Sequence, residues 1–178
     1  VFGENTNGDW TISDTTINNA SDMGIEVDDS TGNWSVENSV ISNIGEDAVE
    51  AEDTAGEWIV KDTVISNGSS HGIDASHLKS NSTVSIENVI ATDTRDDAVE
   101  FEKSKGDWNI SDTIIKNTSS HGVGGLSQRS DSTSNIENIT IKNTNYHGVE
   151  FYNSSGDWTI SYSSISDNGW SGVEGSDS

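Results

Sequence analysis

The chain has 178 residues, no cysteine and no proline, and its 31 acidic residues against 8 basic ones give a formal net charge of −23. Disulfide bonds are therefore excluded. Neither nucleic acid nor an anionic membrane surface is expected as a partner, because both are negatively charged. No apolar run approaches the roughly 18 residues of a membrane-spanning helix, so we expect no membrane insertion.

A repeat of 24 to 26 residues, each with three apolar segments, runs through the chain. The first segments align at Trp10, Trp34, Trp58, Val84, Trp108, Ser134 and Trp158. The second segments align at Ile17, Ile41, Ile65, Ala91, Ile115, Ile141 and Ile165. The third segments align at Ile25, Val49, Ile73, Val99, Val123, Val149 and Val173. A disordered chain has no reason to keep this register.

Each segment alternates apolar and polar residues, which is the pattern of a half-buried strand, and none is long enough for a helix. A propeller blade is excluded because it takes about 40 residues. Each strand can instead pair with its copy in the next repeat, as in a solenoid. The sequence therefore predicts an all-β parallel β-helix of seven coils with three short strands per coil, forming a single domain over residues 1–178.

Polar residues recur between the segments, where the chain must turn. Asn and Asp tolerate turn conformations and are expected to form ladders from coil to coil. One column reads Asp14, Asn38, Asp62, Asn88, Asp112 and Asn138, and the next reads Asn19, Asn43, Asn67, Asp93, Asn117, Asn143 and Asp167. In the third turn we expect positive φ at Gly8, Gly32, Gly56, Gly106 and Gly156.

These columns, with "HGI", "HGV" and "DAV" recurring after an Asn turn, resemble the right-handed parallel β-helix repeat of pectate-lyase-like proteins. The resemblance extends over essentially the whole chain. It implies a right-handed single-stranded β-helix, a fold that carries lyases, hydrolases, epimerases, adhesins and viral spikes. Function must therefore be argued from the site.

A stripe of carboxylates and imidazoles is predicted along the edge of the third strands. Asp96 and Asp97, followed one coil later by His121, resemble the order of acidic residues and histidine in polygalacturonase-type hydrolases. The resemblance implies paired carboxylates acting as acid and base across a glycosidic bond. We therefore name Asp96, Asp97 and His121 as the candidate catalytic residues. A solvated structural edge is the alternative.

Cation binding is a third interpretation of the same stripe. Carboxylates stacked at one strand spacing of about 4.8 Å repel each other, and calcium or molar salt would relieve that repulsion. No calcium-loop motif is present, so a site would be assembled from adjacent coils. The candidate metal ligands are Glu26, Asp47, Glu50, Asp74, Glu100 and Glu150.

Two longer coils carry insertions at 76–82 and 126–132, which contain Lys79 and Arg129 and form a second candidate surface. Eight Asn-x-Ser/Thr sequons are a mild sign of a secreted glycoprotein, and Asn81 is the best-placed acceptor. We therefore expect an extracellular or cell-surface location.

The chain begins and ends at the same phase of its repeat, and no capping helix is predicted at either end. We therefore expect a segment of a longer protein or a filament subunit, with other copies or capping domains as partners. The favoured function is structural or surface display in a filament, surface layer or spike, stabilised by cations or salt. The alternatives are a polysaccharide-active hydrolase or lyase and a carbohydrate-binding module.

Overall fold

The computed structural model describes residues 1–79, 82–127 and 132–176. In these residues the regular structure is entirely β, arranged in three parallel sheets, and no helix long and apolar enough to cross a membrane is present. Seven coils, each with one strand per sheet, follow a first short strand, as predicted. Asn81 and Arg129 lie outside the described residues.

Sheet A contains the predicted third segments and one additional strand at its beginning. In its strands at 25–28, 49–52 and 99–102, buried and half-buried residues alternate, so one side chain of each pair enters the core and the other faces outward. The strands are β1 (Phe2–Glu4), β4 (Ile25–Asp28), β7 (Val49–Glu52), β10 (Ile73–Asp74), β13 (Val99–Glu102), β16 (Val123–Leu126), β19 (Val149–Tyr152) and β22 (Val173–Ser176).

Sheets B and C contain the first and second segments. Sheet B consists of β2 (Trp10–Ser13), β5 (Trp34–Glu37), β8 (Glu57–Lys61), β11 (Thr83–Glu87), β14 (Asp107–Ser111), β17 (Thr133–Glu137) and β20 (Asp157–Ser161). Sheet C consists of β3 (Thr16–Asn18), β6 (Val40–Ile44), β9 (Val64–Gly68), β12 (Ile90–Thr92), β15 (Ile114–Thr118), β18 (Thr140–Thr144) and β21 (Ser164–Ser166).

The strands pair in the register that the repeat predicts. Trp34 lies between Trp10 and Trp58 in sheet B, and Val49 lies between Ile25 and Ile73 in sheet A. The alternation of apolar and polar residues along each strand fixes this register, because a shift of one residue would expose every core side chain.

Aromatic rings stack along the inside of the rod. Trp34 lies against Trp58 with ring centroids 4.8 Å apart, and Phe101 of sheet A lies 4.2 Å from Trp108 of sheet B. All three tryptophans and Phe101 are buried. The first insertion also contributes to the core, because Leu78 is buried.

Each coil turns through three corners that hold a non-glycine residue at positive φ. The two predicted columns do so, from Asp14 (φ 51°) and Asn19 (φ 59°) onward, and Tyr162 takes the same conformation. Their side chains form the expected ladders; for example, Asn88 donates to Asp62 at 2.6 Å.

The prediction for the glycines of the third turn was largely wrong. Of these five glycines, Gly56 alone has positive φ. The left-handed position of that corner is instead held by a non-glycine residue in each coil, for example Asp29 (φ 48°). Gly32 and Gly106 allow close stacking instead, because a Cβ would lie 2.3 Å from the carbonyl oxygen of Gly8 and 2.6 Å from that of Ser82, respectively.

Candidate functional site

The predicted stripe follows the edge where the chain passes from sheet C into sheet A. Two clusters on this edge have the same composition and geometry. The N-terminal triad is Asp47, His71 and Glu100, and the C-terminal triad is Asp97, His121 and Glu150. Each member of the second lies 50 positions after its counterpart in the first, so the triads are two coils apart.

In the N-terminal triad, His71 bridges carboxylates from the coils before and after it. Its Nδ1 lies 3.0 Å from Asp47 Oδ1, and its Nε2 lies 3.0 Å from Glu100 Oε2. The backbone N–H of His71 also donates to Asp47 Oδ1 at 2.7 Å. Asp74 Oδ2 lies 4.0 Å from Nδ1, so a third carboxylate closes this triad.

The C-terminal triad repeats these contacts nearly to the tenth of an ångström. His121 Nδ1 lies 3.0 Å from Asp97 Oδ1, and the His121 N–H donates to the same oxygen at 2.7 Å. Its Nε2 lies 3.2 Å from Glu150 Oε2. Asp97 is 2% exposed, so these hydrogen bonds replace the water that its carboxylate lacks.

Two features distinguish the C-terminal triad from its counterpart. The first is Gly124, which stands where the N-terminal triad has Asp74. A Cβ on Gly124 would lie 2.2 Å from Asp97 Oδ2, so the carboxylate of Asp97 occupies the space of the missing side chain.

The second feature is a group of aromatic side chains beside His121. Tyr146 lies 5.6 Å from the His121 ring and 5.3 Å from Trp170, while His147 stacks on His121 at 5.5 Å. Tyr146 and Trp170 are 43% and 67% exposed. The equivalent positions near His71, 50 residues earlier in the sequence, are the polar residues Asp96 and Ser120. An exposed aromatic surface therefore borders the C-terminal triad alone.

The charges of the triads alter the acidity of their members. Burial opposes protonation of His71, but its hydrogen bond to Asp47 and the charges of Glu100, Asp47 and Asp74 raise its pKa to about 9. His121 also has a raised pKa, because Asp97 and Glu150 outweigh its burial. Burial raises the pKa of Asp47, but hydrogen bonds from His71 hold it below its ordinary value.

The outward stripe of sheet A places carboxylates opposite one another in successive coils. Glu50 pairs in register with Glu26 and Asp74, and Asp74 pairs with Glu100. Burial, then neighbouring carboxylates, raise the pKa of Glu50 to about 7. The pKa of Glu100 also rises to about 7 and that of Asp74 to about 6, mainly through burial, although His71 opposes both rises. Burial and Asp22 raise the pKa of Glu26.

The predicted metal ligands divide into two sets. Asp47, Glu100 and Glu150 contact imidazoles, and an ion at His121, His147 and Glu150 would take two nitrogen ligands, which calcium disfavours. His147 Nδ1 also accepts the Ser171 N–H at 3.2 Å, so its Nε2 carries the proton and has no lone pair for a metal.

Glu26 and Glu50 fit calcium better. In the part of the chain that the structure describes, neither carboxylate has an imidazole or ammonium within ion-pair distance. Asp74 pairs in register with Glu50 but also lies 4.0 Å from His71 Nδ1, so an ion at Asp47, His71 and Asp74 would again include an imidazole. Calcium binding by the stripe stays a prediction.

The predicted catalytic residues are only partly assembled into one cluster. Asp97 and His121 are in contact, but the Asp96 carboxylate is 53% exposed and lies 3.8 Å from Nε2 of His71, in the preceding coil. The sequence prediction missed Glu150 as the second partner of His121, and it missed the equivalence of the two triads. The exact 50-residue offset of Asp, His and Glu is the signal that could have identified both.

The chain matches the family model described as the right-handed β-helix region over residues 1–124 and 54–178. The solved structure of pectate lyase Pel9A is similar, with a TM-score of 0.64 at 15% identity over 93% of this chain and 52% of the lyase. This chain therefore spans about half the length of the lyase. The A-module of the Azotobacter vinelandii mannuronan C-5 epimerase AlgE6 gives a TM-score of 0.47 at 12% identity over 95% of this chain and 58% of that module.

No curated protein sequence matches the chain. The two overlapping family matches together cover all its residues, and the three parallel sheets have the architecture that the family description requires. The protein therefore belongs to the right-handed β-helix family.

Proposed function

We propose that this chain is the β-helix part of an extracellular or cell-surface protein that acts on a polysaccharide, with the C-terminal triad as its acid–base group. The pectate lyase of the same fold is named for action on a polysaccharide, and at 15% identity this likeness supports the fold alone. The activity therefore rests on the residues of the site.

The observation that carries the proposal is the exposed pair Tyr146 and Trp170 beside His121. Sugar rings have apolar C–H faces that pack against aromatic rings, whose faces are electron-rich. A glycan lying on these two rings would pass over His121 and Glu150, which are 17% and 16% exposed at their side chains. The aromatic pair thus supplies binding next to groups that can transfer a proton.

The proposal gives each triad member a role that its contacts support. Asp97 accepts the Nδ1–H of His121 and so orients the ring, which makes Asp97 a positioning residue. The other nitrogen, Nε2, faces Glu150 at 3.2 Å, and a proton shared there can be given to or taken from a sugar oxygen or carbon. Both hydrolysis and elimination need such an acid and base. Asp96 stays a candidate third carboxylate at the rim.

The test compares two matched variants, Asp97→Asn and Asp47→Asn, on a panel of neutral, amino and uronic polysaccharides. Both substitutions weaken an equivalent hydrogen bond in equivalent coils, so their effects on stability should be similar. We expect Asp97→Asn to reduce turnover about 10²-fold or more and Asp47→Asn to leave it within a few fold. Equal losses, with melting temperatures equally lowered, would place the active site elsewhere.

Structural or surface display is the second candidate, and the N-terminal triad favours it. That triad has the same contacts without an aromatic surface, so an Asp–His–Glu cluster can serve simply to link three coils. Absence of both binding and turnover on the panel would support this candidate, whereas binding without turnover would identify a carbohydrate-binding module. The predicted contacts with other copies or capping domains stay predictions.

A further inference from the structure

We propose that the glycan at the C-terminal triad is cationic, with free amino groups along its chain, and is not a polyuronate. This inference rests on the proposed function and names the substrate class of that site. It starts from the charges on the surface that such a glycan would cover.

Carboxylates outnumber basic groups on the surface around the site. The outward column of sheet A has a carboxylate in six of seven coils, and no Lys or Arg occurs in any described strand of that sheet. In the described segments that lead from sheet C into sheet A, Arg95 is the one Lys or Arg, and the imidazoles of His71, His121 and His147 lie there as well. The carboxylates are Glu26, Glu50, Asp74, Glu100, Glu150 and Glu174.

Two carboxylates are accessible to a ligand lying on the aromatic pair. Asp96, which precedes sheet A, is half exposed, and Glu150 of the outward column reaches the surface beside His121. Ammonium groups of a bound glycan could pair with these oxygens. The same ammonium groups are attracted to the faces of Tyr146 and Trp170 through cation–π interactions, which a neutral sugar cannot make.

The size of the effect follows from the spacing of the coils. A ligand charge about 5 Å from one carboxylate changes the binding constant roughly fourfold at the dielectric of water, before screening by salt. At each such pair, a uronate would lower the binding constant by this factor, and an ammonium group would raise it by the same factor. Two such pairs separate an amino glycan from its neutral counterpart by about 16-fold, and from a uronic glycan by the square of that factor.

The experiment measures binding of three hexasaccharides by calorimetry in mildly acidic buffer at low and at high salt. The hexamers of glucosamine and N-acetylglucosamine share one backbone and differ in charge, and the galacturonate hexamer carries the opposite charge. We expect the glucosamine hexamer to bind at least tenfold more tightly than the acetylated one, with an advantage that shrinks at high salt. The galacturonate hexamer should bind most weakly.

Matched charge variants locate the effect. Asp96→Asn should reduce the preference for the amino hexamer about fourfold, whereas Glu57→Gln, the same charge change on sheet B, should leave it unaltered. Equal binding of the amino and acetylated hexamers, or tighter binding of galacturonate, would overturn this inference while leaving a glycan site in place. Failure of all three hexamers and of the polysaccharide panel would overturn the proposed function itself.

Discussion

His71 and His121 hold the same place in their coils and make the same two contacts, but the residues around them differ. Gly124 lets the Asp97 carboxylate lie where the Cβ of any other residue would be. Around His71, Asp74 occupies that position and adds a charge. The missing side chain at Gly124 therefore leaves the C-terminal triad with one carboxylate fewer than the N-terminal triad.

Substitution Gly124→Ala tests this difference. The new Cβ would lie 2.2 Å from Asp97 Oδ2, so the carboxylate must turn and its contact with His121 must lengthen. We expect the pKa of His121 to fall toward its ordinary value and turnover to drop about tenfold or more. Imidazole titration by NMR measures the first effect.

Gly175→Ala is the control for that substitution. It lies in the same sheet, and its Cβ would be at an ordinary 3.4 Å from the Trp158 ring. An unchanged His121 titration in Gly124→Ala would show that Asp97 does not set the state of that imidazole.

At the scale of strands and corners, most of the fold could be predicted because the information is local and repeats. A 24-residue spacing with period-two alternation determines which residues face inward and which lie opposite one another. Predicting the corners requires a second signal besides Asn and Asp. A Ser or Thr often follows the left-handed residue, and its hydroxyl donates to the carbonyl two residues earlier, as Ser39 does to Glu37. The sequence contains this dipeptide pattern, but the prediction of the corners used the Asn, Asp and Gly columns alone.

The site was less predictable because it depends on side-chain reach across coils. Asp96 and Asp97 are neighbours in sequence, but alternation sends one outward and buries the other. Glu150 contacts His121 from the following coil. The strand register allows this contact, but the residue types alone do not reveal it. Leu78, inside an insertion, was likewise not expected in the core.

The aromatic stack gives the prediction at this scale. Trp108 lies between Phe101 at 4.2 Å and Phe151 at 5.9 Å and is fully buried. We expect Trp108→Ala to lower the free energy of unfolding by about 3–5 kcal/mol. Trp158→Ala, at a residue already 43% exposed, should cost clearly less. Urea unfolding followed by circular dichroism compares the two, and equal costs would show that the stack does not stabilise the rod.

Across the whole molecule, a net charge of −23 is concentrated on coils stacked one strand spacing apart. Glu50 and Glu100, with pKa values of about 7, and His71, with a pKa of about 9, bind protons more tightly folded than unfolded. Their contribution to stability is therefore complete below their ordinary values and is lost as pH rises through the raised ones. Asp47 acts in the opposite sense, but only under more acidic conditions.

We therefore expect the melting temperature to fall between about pH 4.5 and pH 9, by roughly 2–4 °C for each kcal/mol lost. Calcium or molar salt should restore it more at pH 8 than at pH 5, because carboxylates of the stripe are then ionised. Differential scanning calorimetry with chelator, calcium or sodium chloride measures this. A Glu50→Gln variant should show a flatter pH profile. A melting temperature that rises with pH, and that neither calcium nor sodium chloride changes, would contradict the prediction.

The claim that only the C-terminal triad meets a glycan can be tested in a single NMR experiment. Each hexasaccharide is titrated into the protein while the imidazole signals of His71 and His121 are followed together, so that each ring serves as the control for the other. We expect the His121 signal to shift in proportion to bound ligand and the His71 signal to stay in place. Equal shifts at both rings, or a shift at His71 alone, would contradict it.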